Sequence, residues 1–214
     1  MSTVDGSPAP GGAAPGASAP DAPERPGAVI LARHGEPGLS RAVRVNAAGY
    51  RRWWADYEAV GLLPDQAPPA RLKIASDKAG FIVASTRLRS VETARLLARG
   101  RAFAEDPMLV EAPLPPPPLP RWIKLSPRLW GLIARTRWWF LDRHDGEESR
   151  AQAHARADEA AIQLTALAAG GQDVLVVAHG FFNLMIGRAL RRRGWRCIDG
   201  QGHHYWSVRR YERP

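Results

Sequence analysis

The chain has 214 residues, of which 45% are hydrophobic, and a formal net charge of +9. This length supports one sizeable core and is short for two, so we expect one domain. The single cysteine, Cys197, excludes an intramolecular disulfide framework and a multi-cysteine metal site, which favours a reducing, cytoplasmic location with Cys197 as a packing residue. No apolar run reaches the roughly 18 residues that a membrane span needs, and the basic balance favours anionic partners as a class.

The first residues differ in composition from the rest of the chain. Residues 1–27 are mostly Ala, Gly, Pro and Ser, which cannot bury enough apolar surface to offset the entropy of ordering. We therefore expect a disordered tail at 1–27 and a folded domain at 28–214. The tail also lacks the basic start and apolar stretch of a secretory signal.

Short aliphatic runs and helical patterns alternate along the domain. The runs predict strands at 28–32, 80–84 and 174–178, a short strand at 101–104 and a final alternating strand at 205–211. Apolar residues at helical spacing predict helices at 88–98, 147–169 and 181–192. This alternation predicts an α/β fold of three layers, α/β/α, with a mostly parallel central sheet.

An insertion at 113–145 interrupts this pattern. Residues 113–120 are almost all proline, which favours an extended loop. Residues 121–140 mix four tryptophans with basic side chains, a composition compatible with an interfacial helix, a nucleic-acid surface or a lid over a pocket. We favour an ordinary amphipathic helix packed on the sheet, or a lid.

Polar motifs follow three of the predicted strands. Arg33 and His34 end the first strand, a block from Ser85 to Arg89 follows the second, and His179 with Gly180 follows the strand at 174–178. Because the carboxyl ends of parallel strands meet at one edge of a sheet, we expect these segments to converge. Two imidazoles and at least two guanidinium groups suit a phosphoryl group, since guanidinium forks match phosphate oxygens and a neutral imidazole nitrogen is a nucleophile.

The three blocks resemble the motifs of the histidine phosphatase (phosphoglycerate mutase-like) superfamily. The resemblance rests on Arg33-His34-Gly35-Glu36, on the segment from Ser85 to Ala94, and on Ala178-His179-Gly180, and it spans roughly 28–211. It implies a phosphoglycerate mutase-like fold, a phosphorylated nucleophile at His34, phosphate binding by Arg33 and Arg89, and a second active-site histidine at His179. It also implies substrate contacts at Gly35 and Glu36, and a general acid and base at Glu111.

The identity of the general acid and the roles of Arg89 and Glu36 have alternative interpretations. Prolines follow Glu111 where the superfamily usually has a glycine-containing stretch, so Glu105, Asp106 or Glu111 could serve as the acid, or the acid is absent. Arg89, in the first turn of a helix, could be a solvated surface charge, and Glu36 could simply complement a helix dipole.

The chemistry of phosphoryl transfer predicts a role for each of these side chains. If Nε2 of His34 attacks phosphorus in line, fixed positive charges from Arg33, Arg89 and a protonated His179 would stabilise the equatorial oxygens. Glu111 would protonate the leaving alkoxide and later activate water. No metal or cofactor is needed for this sequence of steps.

We therefore expect a metal-independent phosphomonoester hydrolase that forms a phosphohistidine on His34. Pro37-Gly38-Leu39-Ser40 stands where mutases generally continue the first motif with a Trp-Asn pair, which favours a phosphatase over a phosphoglycerate mutase-type phosphotransferase. A non-catalytic phosphate-binding module on the same fold is a further alternative, and a basic membrane-surface or nucleic-acid adaptor is another. The expected partner is a phosphorylated small molecule rather than a nucleic acid, with peripheral membrane contact left open. The sequence identifies neither the natural substrate nor the oligomeric state.

Overall fold

The computed structural model describes residues 25–214 and contains a six-stranded sheet between two layers of helices. The strands are β1 (Val29–Arg33), β2 (Phe81–Ser85), β3 (Ala104–Asp106), β4 (Val174–Ala178), β5 (Arg196–Gly200) and β6 (Val208–Glu212). The helices are α1 (Ala47–Ala59), α2 (Ala70–Lys78), α3 (Leu88–Ala98), α4 (Pro127–Leu141), α5 (Arg150–Ala168) and α6 (Gly180–Arg192), with a short 3-10 turn at Pro107–Leu109.

The sheet has the strand order β3-β2-β4-β1-β6-β5. The β3-β2, β2-β4 and β4-β1 pairs are parallel, whereas β6 runs antiparallel to both β1 and β5. The expected mostly parallel sheet is therefore confirmed. The strand β4 lies between β1 and β2, so the ends of these three strands are neighbours.

Alternate residues of β1 and β4 belong to different hydrophobic clusters, because successive side chains of a strand point to opposite faces. Val29 and Leu31 pack with α5 and α6, and Cys197 lies against this cluster as a partly buried packing residue. Ile30 and Ala32 pack with α2 and α3. Helices thus cover both faces of the sheet, which confirms the three-layer arrangement.

A third cluster joins α1 to α4. Tyr50, Trp53 and Tyr57 of α1 pack against Trp130 of α4, whose indole is fully buried and donates to the backbone oxygen of Val45 at 2.7 Å. Within the segment 121–140, residues from Pro127 onward form the helix α4, which packs on α1, whereas the sequence favoured a helix packed on the sheet or a lid. None of the helices within 25–214 combines the length and apolarity needed to cross a membrane.

Helix capping explains where the helix at 147–169 begins. Ser149 and Gln152 form a reciprocal capping box, so α5 starts at Arg150, later than predicted. The final strand likewise begins at Val208 rather than at 205, because Trp206 lies in a turn with a φ of 62°.

Two further segments differ from the predictions. The short strand predicted at 101–104 is wrong by about three residues, since Arg101 turns back and donates to the carbonyl oxygens of Ser76 and Ala79. Residues 1–24 of the predicted tail lie outside the described residues. Gly27, at the end of that predicted tail, is buried, and its N–H donates to the backbone oxygen of Ala168 at 2.9 Å.

Candidate active site

Three parallel strands deliver the sequence motifs to one edge of the sheet. In the ladder, Arg33 of β1 pairs in register with Ala178 of β4, so His34 and His179 follow neighbouring strand ends. Their ring centroids lie 5.1 Å apart, and both side chains are buried. The convergence expected from the sequence is present.

Hydrogen bonding and burial fix the state of the His34 ring. Its Nδ1 lies 2.6 Å from the backbone oxygen of Gly35, and because a carbonyl oxygen only accepts, Nδ1 carries the proton. Burial lowers the pKa of His34 well below its usual value, and the positive charges of Arg89 and Arg33 lower it further. At neutral pH the ring is therefore uncharged, with a lone pair on Nε2.

Arg89 is fully buried and lies between the two histidines. Its Nε is 3.4 Å from Nε2 of His34, and its Nη2 is 3.3 Å from Nδ1 of His179. The end of α1 holds the other side of the guanidinium group, since Nη1 donates to the backbone oxygen of Tyr57 at 2.7 Å and Nη2 donates to Oε1 of Glu58 at 2.8 Å. The surface-charge alternative for Arg89 is wrong, because α1 covers this face of α3.

His179 has a hydrogen bond at each ring nitrogen. Nδ1 accepts from Arg89, so the proton lies on Nε2, which is 2.9 Å from Oγ of Ser85. Burial lowers the pKa of His179 well below its usual value, and the charge of Arg89 lowers it further. The structure thus gives a neutral His179 instead of the protonated ring expected from the sequence, because the nearest charge is a cation.

Arg33 lies at the mouth of the site. Its guanidinium carbon is 4.4 Å from the centre of the Tyr205 ring, and its Nη1 donates to the backbone oxygen of His203. Its buried Nε has no hydrogen-bond partner within residues 25–214. A Cβ on Gly180 would be 3.2 Å from that Nε, so the guanidinium group lies at the first residue of α6.

Gly35 and Glu36 contribute to the site differently from what the resemblance implies. Gly35 orients His34 through its carbonyl oxygen, and a Cβ there would overlap the indole of Trp206. Glu36 is exposed and lines a neighbouring cleft, while its backbone pairs with Leu63 and Gln66. Neither residue lines the cavity at His34. Glu36 begins no helix either, so the helix-dipole interpretation is also wrong.

Of the three candidate acids, Glu111 alone faces the cavity. Its Oε1 accepts from the N–H groups of Phe182 at 3.0 Å and Ala112 at 3.1 Å, and its Oε2 accepts from the N–H of Phe181 at 3.1 Å. Two of these donors belong to the first turn of α6, where unpaired N–H groups favour an anion.

The other two candidate acids lie elsewhere. Glu105 is exposed on β3, and the carboxylate of Asp106 caps the 3-10 turn by accepting from the N–H of Met108 at 2.8 Å.

These groups line one cavity of about 310 Å³. The insertion supplies part of its wall, since Arg128, Gly131 and Arg135 of α4 line it together with aromatic side chains of α1. Among residues 25–214, five arginines and one glutamate line the cavity: Arg33, Arg41, Arg89, Arg128, Arg135 and Glu111. The arrangement can bind a dianion next to a neutral imidazole nucleophile.

Several residues of this site are not among those predicted from the sequence. Arg41 is one of the charges that lower the pKa of His34, and Glu58 and Tyr57 hold Arg89. Tyr50 and Arg135 also line the cavity. One signal existed: the aromatic residues 50, 53, 54 and 57 follow helical spacing, which identifies α1 as an amphipathic helix.

The chain matches a family model, and its fold matches solved structures. The model of the histidine phosphatase superfamily (branch 1) covers residues 29–213. No curated protein matches the chain.

Three solved structures illustrate the fold match. An open reading frame of Mycobacterium tuberculosis has 21% identity and a TM-score of 0.51, over 86% of this chain and 95% of that one. A mycobacterial glucosyl-3-phosphoglycerate phosphatase in complex with VO3 has 20% identity and a TM-score of 0.51, over 77% of this chain and 82% of that one. A phosphoglycerate mutase from Bacillus anthracis has 16% identity and a TM-score of 0.53, over 87% and 88%. At these identities the matches show a common fold.

Proposed function

The chain belongs to the histidine phosphatase superfamily, and on that premise we propose that it is a metal-independent phosphatase that hydrolyses small phosphate monoesters through a phosphohistidine on His34. The observation that carries the proposal is the state of that ring. His34 is neutral, its Nδ1–H is held by a carbonyl oxygen, and the lone pair of Nε2 lies beside a guanidinium group in a cavity. An imidazole in this state is a nucleophile aimed at an anion site.

In the first step, Nε2 of His34 attacks phosphorus in line. The P–N bond forms as the P–O bond to the alcohol breaks. Glu111, which the negative charge of the bound substrate brings into this step as the carboxylic acid, gives its proton to the leaving oxygen. The 3.4 Å contact between Arg89 and His34 is long for a hydrogen bond, so Arg89 can exchange it for an equatorial phosphoryl oxygen. Arg33, whose Nε has no partner within residues 25–214, is the second phosphate ligand.

In the second step, water attacks phosphorus as Glu111 takes its proton. The P–N bond breaks and the electron pair returns to Nε2 of His34, which releases inorganic phosphate. The bound phosphoryl group offsets the positive charges that lower the pKa of His179. A neutral His179 in the free protein can therefore gain a proton when the anion is bound.

Trapping of the intermediate tests the proposal. Acid-labile, base-stable phosphohistidine is expected after rapid denaturation of the protein during turnover of labelled substrate, together with hydrolysis of 4-nitrophenyl phosphate that persists in a metal chelator. His34→Ala should abolish both signals. His154→Ala is the matched control, because His154 lies on α5 outside the cavity lining.

Each outcome of this experiment is decisive. Wild-type turnover by a folded His34→Ala protein would overturn the mechanism. Transfer of the label to a second alcohol instead of water would identify a mutase-type phosphotransferase. Anion binding with no turnover and no label would identify a non-catalytic binding module.

A further inference from the structure

On the side of the cavity formed by α1 and α4, two buried polar atoms lack hydrogen-bond partners. They are Nη1 of Arg135 and Oη of Tyr50, and neither has a partner within residues 25–214. The Tyr50 side chain is fully buried, and that of Arg135 is 16% exposed. Leaving a buried donor unpaired costs free energy, about 1–3 kcal/mol for each group, so these two donors would gain from a ligand that supplies an acceptor.

Both atoms belong to the same part of the cavity. Tyr50 projects from α1 toward α4, since a Cβ on Gly131 would lie 3.5 Å from its Oη. Gly131 and Arg135 are four residues apart on α4 and share a face of that helix. Gly131 lines the cavity and has no side chain that would approach the hydroxyl group of Tyr50.

The charge of Arg135 is incompletely balanced. Its Nη2 donates to the backbone oxygen of Ala112 at 3.1 Å and lies 3.9 Å from Oε1 of Glu111. That carboxylate already accepts three backbone N–H groups. Burial lowers the pKa of Arg135, so the charged form is destabilised by its surroundings.

A second guanidinium group lies within reach of the same region. Arg41 donates from Nη2 to Oη of Tyr57 at 2.7 Å, and its Nε has no partner within residues 25–214. Arg41 lines the cavity and acts electrostatically on both His34 and Tyr50. It therefore adds positive charge between the nucleophile and the unpaired donors.

We propose that Arg135 and Tyr50 form a second anion subsite, so that the substrate is a small phosphomonoester whose alcohol carries an additional oxyanion such as a carboxylate. This inference rests on the proposed phosphatase function and names the substrate class of that site. The Nη1–H groups of Arg135 and the Oη–H of Tyr50 donate to the oxyanion while the phosphoryl group meets His34. Trp53 and Trp54 line the cavity and offer apolar contact to the body of the substrate. A volume of about 310 Å³ suits a small molecule.

Pairs of substrates that differ only in the charge of the second group separate the effect of the subsite from general effects on catalysis. The 3- and 4-carboxyphenyl phosphates carry the second anion. The corresponding carbamoylphenyl phosphates have the same shape and the same phosphate group, but an uncharged amide in place of the carboxylate. The readout is the ratio of kcat/KM for the acid to kcat/KM for the amide. The wild-type ratio should exceed about ten, the effect of one hydrogen bond to a charged group.

Two variants and one control show which residues produce the preference for the acid. Arg135→Gln should lower the ratio about tenfold or more, and Tyr50→Phe, which removes only the hydroxyl, about three- to tenfold. Arg137→Gln is the matched control, because it removes a positive charge from the same helix outside the cavity lining and should keep the wild-type ratio.

The outcomes distinguish this inference from the proposed function. A wild-type ratio near one for both isomers would overturn the subsite and leave the phosphatase intact. Equal losses for acid and amide in Arg135→Gln would also overturn it, because Arg135 would then act by positioning Glu111. Calorimetry gives the dissociation constants of carboxybenzyl and carbamoylbenzyl phosphonates, and their ratio compares the acid with the amide in binding alone. The subsite can therefore be tested even if the protein is catalytically inactive.

Discussion

Glu58 should stabilise the protein and position Arg89, and Glu58→Gln tests both roles. Oε1 of Glu58 lies 2.8 Å from Nη2 of Arg89, whose side chain is fully buried, while Glu58 itself is 14% exposed. Oε2 of the same carboxylate lies 2.6 Å from Nε of Arg87. Removing the carboxylate leaves the buried Arg89 cation without its only acidic partner within residues 25–214.

The size of the effect follows from what remains around Arg89. Breaking a buried ion pair by removing one partner costs about 3–5 kcal/mol. Glutamine keeps an accepting oxygen, and Arg89 keeps the backbone oxygen of Tyr57, so we expect a loss of about 2 kcal/mol in the free energy of unfolding. For a domain of this size that loss corresponds to a fall in Tm of about 4–8 °C.

Urea unfolding followed by tryptophan fluorescence measures the loss, since the chain has 8 tryptophans. Asp158→Asn is the matched control, because it removes the same charge from an exposed pair with Arg192 in which the partners are 39% and 51% exposed. That pair should contribute less than about 1 kcal/mol. A loosened Arg89 should also lower kcat/KM for 4-nitrophenyl phosphate about tenfold at unchanged pH optimum in Glu58→Gln. Equal stability and activity of the two variants would show that Glu58 neither stabilises the protein nor positions Arg89.

Three further predictions concern the histidines, the first motif and the acid. The pKa values of His34 and His179 are lowered in the folded state, so the unfolded state binds more protons below about pH 6.5. As the pH falls below that value, the free energy of unfolding should therefore decrease by up to about 1.4 kcal/mol per pH unit for each ring. Urea unfolding at pH 7.5 and 5.5 measures this change, and greater stability at pH 5.5 would contradict the prediction. Gly35→Ala should cost about 1–3 kcal/mol and most of the activity, because its Cβ overlaps an indole ring, whereas Gly38→Ala, with its nearest contact at 3.4 Å, should change the free energy of unfolding by less than about 0.5 kcal/mol. Glu111→Gln should lower kcat/KM about 10²–10⁴-fold for alkyl phosphates and far less for 4-nitrophenyl phosphate, whose leaving group needs no proton; equal losses on both substrates would argue against a general acid.

The parts of the fold that were predicted depend on local patterns. The aliphatic run before His34 predicts a strand at 28–32, and β1 occupies Val29–Arg33. The helix predicted at 88–98 matches α3 in both bounds. In each case the residues that decide the element lie within the element.

The helices that were missed have weaker local signals. In α1, Gly49 lowers the intrinsic helix propensity, and the stability of the helix comes from packing of Tyr50 and Trp53 on α4. Because no helix was predicted at the position of α1, Arg89 could also be interpreted as an exposed surface charge. Its burial depends on the end of α1, some 31 residues away along the chain.

Short motifs and strand patterns were enough to predict which chemical groups are present and that the strand ends bring them together. Arg33, His34, Arg89 and His179 follow from short motifs in a fixed order. The protonation state of those groups depends on their surroundings in the folded protein: His179 is neutral because burial and a neighbouring cation lower its pKa.

Tertiary structure also selected Glu111 over Glu105 and Asp106, since only Glu111 reaches the first turn of α6 at the cavity. It likewise brought Arg135 and Tyr50 to the same wall. Desolvation and charge proximity arise from residues distant in sequence, so no local pattern encodes them.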